Sequence, residues 1–251
     1  MNSSNIRYSR QTTLPAIGED GQARLRDASV LIIGAGGLGT PTSLYLASSG
    51  IGQILINDFD SIDESNLPRQ ILYRDEDVGA SKAQVAAERL RAVNPAIDVV
   101  ALDERMDRAA LTECISAVDA VIDASDNFAT RWLLNEITFE QSTPLISGAA
   151  IRWEGQVSVF RHELKTGPCY RCLYAEEDES LNDCAGQGIV APVAGTVGTL
   201  MATETLKVLL GIDSDLQGKL WVYDGLAGNS RTINIPLKAD CPVCYQAATS
   251  L

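Results

Sequence analysis

The run Val30-Leu-Ile-Ile-Gly-Ala-Gly-Gly-Leu-Gly39 constrains this chain more than any other stretch. Four branched apolar residues in succession suit a strand buried on both faces, the kind that parallel sheets require. Gly34, Gly36 and Gly39 then follow with G-x-G-x-x-G spacing. Residues 37–50 read as a helix, with Pro41 near its first turn, where a missing N–H costs little. Such a turn is a phosphate seat: glycines admit an anion close to the backbone, and the helix start offers unpaired N–H groups and a positive dipole end. Asp58 closes a second apolar strand, Gln53–Asn57, about 20 residues beyond the loop, where an acidic side chain holds a ribose. The element therefore predicts an adenosine-type nucleotide without naming it.

Alternating strands and helices continue from there. Ser81 reads as the N-cap of a helix to Val93, residues 97–102 as a third strand, and residues 108–117 as a short helix. A fourth strand over residues 120–123 empties into Ser125-Asp-Asn127 and a helix towards Glu140, and a fifth covers residues 144–147. This alternation predicts an α/β fold, a Rossmann-like doubly wound and mostly parallel sheet. Beyond residue 150 the pattern changes to a strand at 155–161, an acidic stretch, a long apolar helix to Leu210, and strands near 219–223 and 231–235. We expect one domain over residues 1–251. Its nucleotide-binding body covers about 28–150, and an irregular C-terminal part, about 151–251, packs on it.

Residues 185–203 carry no charge, yet hold four glycines, a proline and three threonines; a buried helix with an irregular lead-in suits them better than a membrane span. The first thirty residues show no apolar signal core, so a cytoplasmic location is expected, with no membrane partner. A net charge of −13 argues against nucleic acid as a partner, because neutralising phosphates needs clustered Lys and Arg.

Six cysteines without a signal sequence point to metal or catalysis before disulfides. Cys169-x-x-Cys172 and Cys241-x-x-Cys244 each have the bite of a zinc knuckle, and together they complete an all-thiolate tetrahedron. With 68 residues between the pairs, Zn²⁺ would staple distant segments. Four thiolates leave no open position, so the metal would be structural; two unrelated pairs, one of them redox-active, is the alternative. Cys114 reads as core, and the single histidine, His162, as a surface residue in Arg-His-Glu.

The glycine loop alone favours an NAD-dependent oxidoreductase, the commonest owner of that fingerprint. The remaining inventory is different: Arg69, Lys82 and Arg10 supply cations, and Asp126, at the end of the fourth strand, suits Mg²⁺. Triphosphate, metal and cations belong together, whereas a nicotinamide needs none of them.

These residues stand among Arg7-Tyr-Ser-Arg-Gln11, Gly34-x-Gly-Gly-Leu-Gly39, Asp58-Phe-Asp60, Ser65-Asn-Leu-x-Arg-Gln70, Lys82, Ser125-Asp-Asn127, Ser147-Gly-Ala-Ala-Ile-Arg-x-Glu-Gly-Gln156 and the two cysteine pairs. In this order they resemble the ThiF/MoeB/HesA adenylyltransferases, bacterial relatives of ubiquitin-activating enzymes, over residues 7–244. The resemblance implies ATP-dependent adenylation of the C-terminal carboxylate of a small ubiquitin-like sulfur-carrier protein, with release of pyrophosphate. Some relatives adenylate short peptides instead. It implies that Gly37 and its loop lie under the nucleotide, that Asp58 and the neighbouring Asp60 serve the ribose end, and that Ser65, Asn66, Leu67, Arg69 and Gln70 line adenosine and phosphates. Lys82 would bind phosphate, and Asp126 would take Mg²⁺ beside Asn127. Arg10 would reach the other subunit's site in a homodimer, and a sulfur donor would act downstream. Cys184 would attack the adenylate or join the carrier covalently, although the carboxylates of residues 177–179 and 183 oppose a reactive thiolate. Two departures from the pattern are Pro68, where a glutamine is common, and Ala124, where Cys or Thr often stands.

Overall fold

Strand β1, Ser29–Ile33, is buried on both faces: Val30 and Ile32 enter one hydrophobic cluster, Leu31 and Ile33 another. Each such side chain contributes roughly 1.5–3 kcal/mol by leaving water. The computed structural model describes residues 6–174 and 188–244. Around β1 lie β2 (Gln53–Asn57), β3 (Asp98–Leu102), β4 (Ala120–Asp123) and β5 (Leu145–Ile151), all parallel, in the order β3-β2-β1-β4-β5. The order reverses between β1 and β4, and in such sheets ligands bind at that switch point, beyond the carboxyl ends of the strands.

The helices cover both faces. On one side lie α2 (Gly18–Asp27), α3 (Gly39–Ser49), α4 (Lys82–Val93) and α8 (Ala191–Leu210); on the other lie α5 (Arg108–Ser116), α6 (Phe128–Gln141) and the short α7 (Tyr170–Leu173). A short α1 (Ser9–Thr12) precedes them. The caps follow the sequence: Ser81, Asp107 and Asn127 each accept a backbone N–H of their own first turn, satisfying donors a helix start leaves orphaned. Helix α8 is long and apolar enough to cross a membrane by length and composition, but Val193, Val197, Met201 and Val208 are buried in the core.

Two findings differ from expectation or extend it. The C-terminal part adds β6 (Glu154–Phe160), β7 (Lys219–Asp224) and β8 (Asn229–Asn234) to the same sheet, each antiparallel to its neighbour, giving eight strands. His162 is not a surface residue. A 3-10 turn over His162–Leu164 directs its ring inward, where Nδ1 meets Thr138 Oγ1 at 3.1 Å and the ring packs on Phe139 and Phe160. Burial pushes its pKa down to about 3, so it is neutral and no proton donor near neutral pH. Cys114 is half-buried on α5.

Helix α8 bears on the glycine loop through Gly198, where an added Cβ would lie 2.5 Å from both the Leu38 carbonyl oxygen and Pro41 Cγ. Gly195, on the same helix, has nothing within 4 Å of that position. Gly198→Ala is therefore expected to lower unfolding free energy by about 1–3 kcal/mol through overpacking. Gly195→Ala is expected to raise it by about 0.5–1 kcal/mol through helix propensity. Denaturant midpoints of the two variants, shifted in opposite directions, are the check.

Candidate active site and cysteine centre

At the end of β1 the chain turns through Gly34 with φ 95°, a conformation that disfavours any side chain. Space forbids one as well: a Cβ on Gly34 would lie 2.7 Å from the Ala124 carbonyl oxygen, beyond β4, and one on Gly39 would lie 1.8 Å from the Gly34 carbonyl oxygen. The loop is thus closed on itself and pressed against the neighbouring strand's exit. Asp58 ties it to β2, accepting the Ala35 N–H at 2.8 Å on one oxygen and the Asp60 N–H at 2.9 Å on the other. Burial pushes the Asp58 carboxyl up, opposed by those two N–H groups and by Lys82. A carboxylate has about four lone-pair sites, so acceptor capacity is left for ribose hydroxyls.

Lys82, the first residue of α4, is almost buried, and its Nζ lies 3.1 Å from Asp60 Oδ2. Tyr73 stands between this lysine and the loop. Its buried hydroxyl donates to the Ala35 carbonyl at 2.8 Å, with the Lys82 carbonyl 3.2 Å away, and burial with Asp58 nearby pushes its pKa far up, keeping it a donor.

The segment Ser65–Gln70 folds against the glycines. Asp63 caps a 3-10 turn by accepting the N–H and hydroxyl of Ser65, and buried Asn66 accepts the Asp63 N–H in return. Arg69 donates to the Ser65 carbonyl at 2.9 Å, and its Cγ lies 3.5 Å from where a Gly37 Cβ would be. Gln70 is buried, with Nε2 3.7 Å from the equivalent point on Gly36. Its Oε1 has no protein partner among the described residues. Leu67 is half-buried behind this segment and Pro68 exposed within it.

Asp126 and Asn127 are exposed just past β4. Asn127 Oδ1 caps α6 through the Thr130 N–H at 2.9 Å, and its Nδ2 lies 3.5 Å from Asp126 Oδ1. Beneath them lies a group that sequence reading passed over. Asp123, fully buried, accepts the Ser125 hydroxyl at 2.6 Å and the Ser147 hydroxyl at 2.9 Å. Arg131 donates to the Ser125 carbonyl at 2.6 Å. Burial works against the Arg131 charge, but Asp123 and then Tyr170 hold its pKa above the ordinary value. The available signal was an acid ending an otherwise apolar strand, with an arginine one turn into the next helix.

Gly34–Gly39, Asp58, Asp60, Ser65–Gln70, Lys82, Asp126 and Asn127 therefore gather at one end of the sheet. Arg10 does not join them. The preceding Tyr8 sits against Gly50 and accepts a hydrogen bond from Asn94 at 2.8 Å, so α1 rests at the C-terminal end of α3. The glycine loop lies at the other end of that helix, about 16 Å away along its axis. Cys184 lies outside the described residues. A groove of about 490 Å³ lined by Asp20, Arg24, Asp27, Asp119 and Glu163 lies near the amino ends of β1 and β4, and its acidity suits no triphosphate.

Cys169, Cys172, Cys241 and Cys244 are all buried, with their four Sγ atoms within 4.8 Å of one another. Cys169 and Cys241 are 3.6 Å apart and Cys172 and Cys244 3.4 Å, far longer than a disulfide. Metal–sulfur bonds of about 2.3 Å in a tetrahedron give sulfur–sulfur spacings near 3.8 Å, so the four thiols fit one soft divalent cation. Without a cation they cannot all ionise. The hydrogen bond to Cys172 in which Cys169 is the donor, together with burial, pushes Cys169 up to about 12.

The ThiF family model matches residues 8–243. Over 248 residues the chain is 44% identical to the sulfur carrier protein adenylyltransferase of Thermus thermophilus, covering 97% of this chain and 92% of that protein. Over 239 residues it is 42% identical to the sulfur carrier protein ThiS adenylyltransferase of Escherichia coli, covering 95% of this chain and 94% of that protein. The crystal structure of E. coli MccB with ATP superposes with a TM-score of 0.83 at 27% identity, covering 97% of this chain and 75% of that one. A match of this extent applies to the chain as a whole, which belongs to the ThiF family.

Proposed function

We propose that this protein is an ATP-dependent adenylyltransferase. It activates the C-terminal carboxylate of a small ubiquitin-like sulfur-carrier protein for later attack by a sulfur donor. The observation that carries the reading is the joining of a glycine turn, two cations and an exposed carboxylate across the β1/β4 switch point. A carboxylate oxygen of the carrier attacks the α-phosphorus, the bond to the bridging oxygen breaks, and pyrophosphate leaves. The attacking group is already ionised, so the site needs no general base, in keeping with a lone histidine buried elsewhere. What it needs is charge compensation. Arg69 and Lys82 meet the phosphates, Lys82 exchanging its exposed partner Asp60 for the anion. Asp58 takes the ribose hydroxyls, and the segment Ser65–Gln70 closes over the nucleotide. Asp126, beside Asn127, would hold Mg²⁺, and the ion would supply charge neutralisation for the phosphates. An NAD-dependent oxidoreductase would leave these cations and Asp126 without a task. The likeness to MccB keeps a short peptide acceptor as the second reading, at lower identity than the sulfur-carrier relatives.

Asp126→Ala and Arg69→Ala are expected to lower ATP–pyrophosphate exchange, measured with the candidate carrier, by at least about a hundredfold. The melting temperature should hold, since Asp126 is exposed and Arg69, among the described residues, bonds only to a loop carbonyl. Near wild-type exchange in both variants removes the site. Binding of ATP with Mg²⁺ and not NAD separates the two enzyme classes.

Arg10, held at the wrong end of its own α3, supports a homodimer in which it serves the partner's phosphates. Mixing Arg10→Ala chains with Asp126→Ala chains should restore part of the lost exchange, because one hybrid site then has both groups. Demonstrated heterodimers with no rescue would sink the in-trans role.

The four-cysteine centre is assigned to structural Zn²⁺. Reduced thiols held this way suit a cytoplasmic enzyme. We expect one zinc per chain, and a melting temperature that falls strongly on chelation or in Cys241→Ser, because metal binding at such a site is coupled to folding. Metal analysis of freshly purified, active protein with no zinc would refute the assignment.

A further inference from the structure

We infer that Arg131 and Tyr170 form a buried positioning link between the four-cysteine centre and the loop that carries Asp126. The inference rests on the role of Asp126 proposed above. Helix α6 is the common member. Its cap, Asn127, follows Asp126 directly, and its flank meets the first cysteine knuckle. Tyr170, between Cys169 and Cys172, holds two successive turns of α6. Its backbone N–H donates to Asn135 Oδ1 at 2.8 Å, and its hydroxyl lies 3.4 Å from Arg131 Nη1. Residues 131 and 135 share one helix face, so one residue of the knuckle spans both. Arg171 adds an ion pair to Glu136 at 3.1 Å.

From Arg131 the link passes to the site. Its other terminal nitrogen donates to the Ser125 carbonyl at 2.6 Å, a bond with the length and strength of a charge-assisted one. That carbonyl belongs to the planar peptide joining Ser125 to Asp126, so fixing it orients the unit from which the Asp126 side chain projects. Asp123, fully buried behind it, balances the guanidinium and also accepts the Ser125 hydroxyl. Packing alone does not account for a cation here. Buried ion pairs replaced by apolar side chains are often neutral or stabilising, and Arg131 Nε has no partner among the described residues. The shorter of the two hydrogen bonds Arg131 makes among the described residues is to the carbonyl that sets the direction of Asp126. Arg131 and Tyr170 are therefore positioning residues, and the cysteine centre buttresses the metal-side carboxylate through them.

Tyr170→Phe and Arg131→Lys, made in the full chain, test the link. Both are read by zinc content, by hydrogen–deuterium exchange of residues 122–130, and by the Mg²⁺ concentration giving half-maximal ATP–pyrophosphate exchange. Tyr170→Phe should keep its zinc, lose amide protection over 124–130, and need roughly fivefold more Mg²⁺, the loss of one long hydrogen bond. Arg131→Lys should need roughly tenfold more or beyond, and excess Mg²⁺ should restore the rate in both. Chelating the metal from the wild-type protein should deprotect the same amides. Wild-type protection in zinc-loaded Tyr170→Phe overturns the link. Lost protection with unchanged Mg²⁺ dependence overturns its action on Asp126. Should Arg131→Lys fail to fold, Tyr170→Phe decides alone. If the wild-type protein shows no exchange with any carrier, the adenylation reading falls, and the amide data still judge the link.

Discussion

The backbone contact between Gly34 and Ala124 is what the site depends on. Strands β1 and β4 are neighbours whose following helices depart to opposite faces of the sheet, so their exits part and leave a crevice. A glycine at position 34 lets the two exits touch before they separate. The phosphate seat on one strand and the Ser125–Asn127 loop on the next are thereby held in register by main chain, with no flexible side chain between them. Asp58 and Tyr73 extend this rigidity sideways, one through the Ala35 N–H and the other through the Ala35 carbonyl. Both backbone polar groups of one loop residue are thus claimed by partners from separate segments.

A chain with net charge −13 must still receive a polyanion. On the proposed reading, Lys82 concentrates cation at one point beside a displaceable counter-charge. Lys82 is nearly buried, while Asp60 across from it is more than half exposed. An exposed partner contributes little to stability, on the order of 0–1 kcal/mol, and so costs little to exchange. The lysine is therefore held ready without being locked.

Much of this was legible in the sequence, for identifiable reasons. The buried strand, the glycine spacing, the Ser81 cap and the cysteine spacing are local signals, each fixed by a few adjacent residues. What was not legible depends on long-range pairing. The alternation in residues 155–161 and 219–235 marks strands, but nothing local says that they extend the parallel sheet in antiparallel fashion. His162 looked exposed because charged residues flank it, yet Arg161 and Glu163 pair with each other and leave the ring free to turn inward. Asp123 and Arg131 were hidden for a related reason: each looks like an ordinary surface charge until the fold buries both.

The position of the cysteine centre follows from where apolar burial runs out. Strand β7 is only half-buried along its length and β8 is exposed throughout, so this hairpin takes little stability from hydrophobic packing. It also forms the edge of the sheet, where unpaired backbone groups invite slippage. Ile235, just past β8, is buried, and Cys241 and Cys244 follow within ten residues. They meet Cys169 and Cys172 against the α6 side of the sheet. The proposed metal cross-link would anchor the chain, as it leaves the weakest pair of strands, to the helix that begins beside Asp126. Cross-linking is most useful where a segment cannot bury enough surface to hold itself, which is the reasoning by which small domains adopt metals. In this chain the same reasoning applies to one edge of a large sheet.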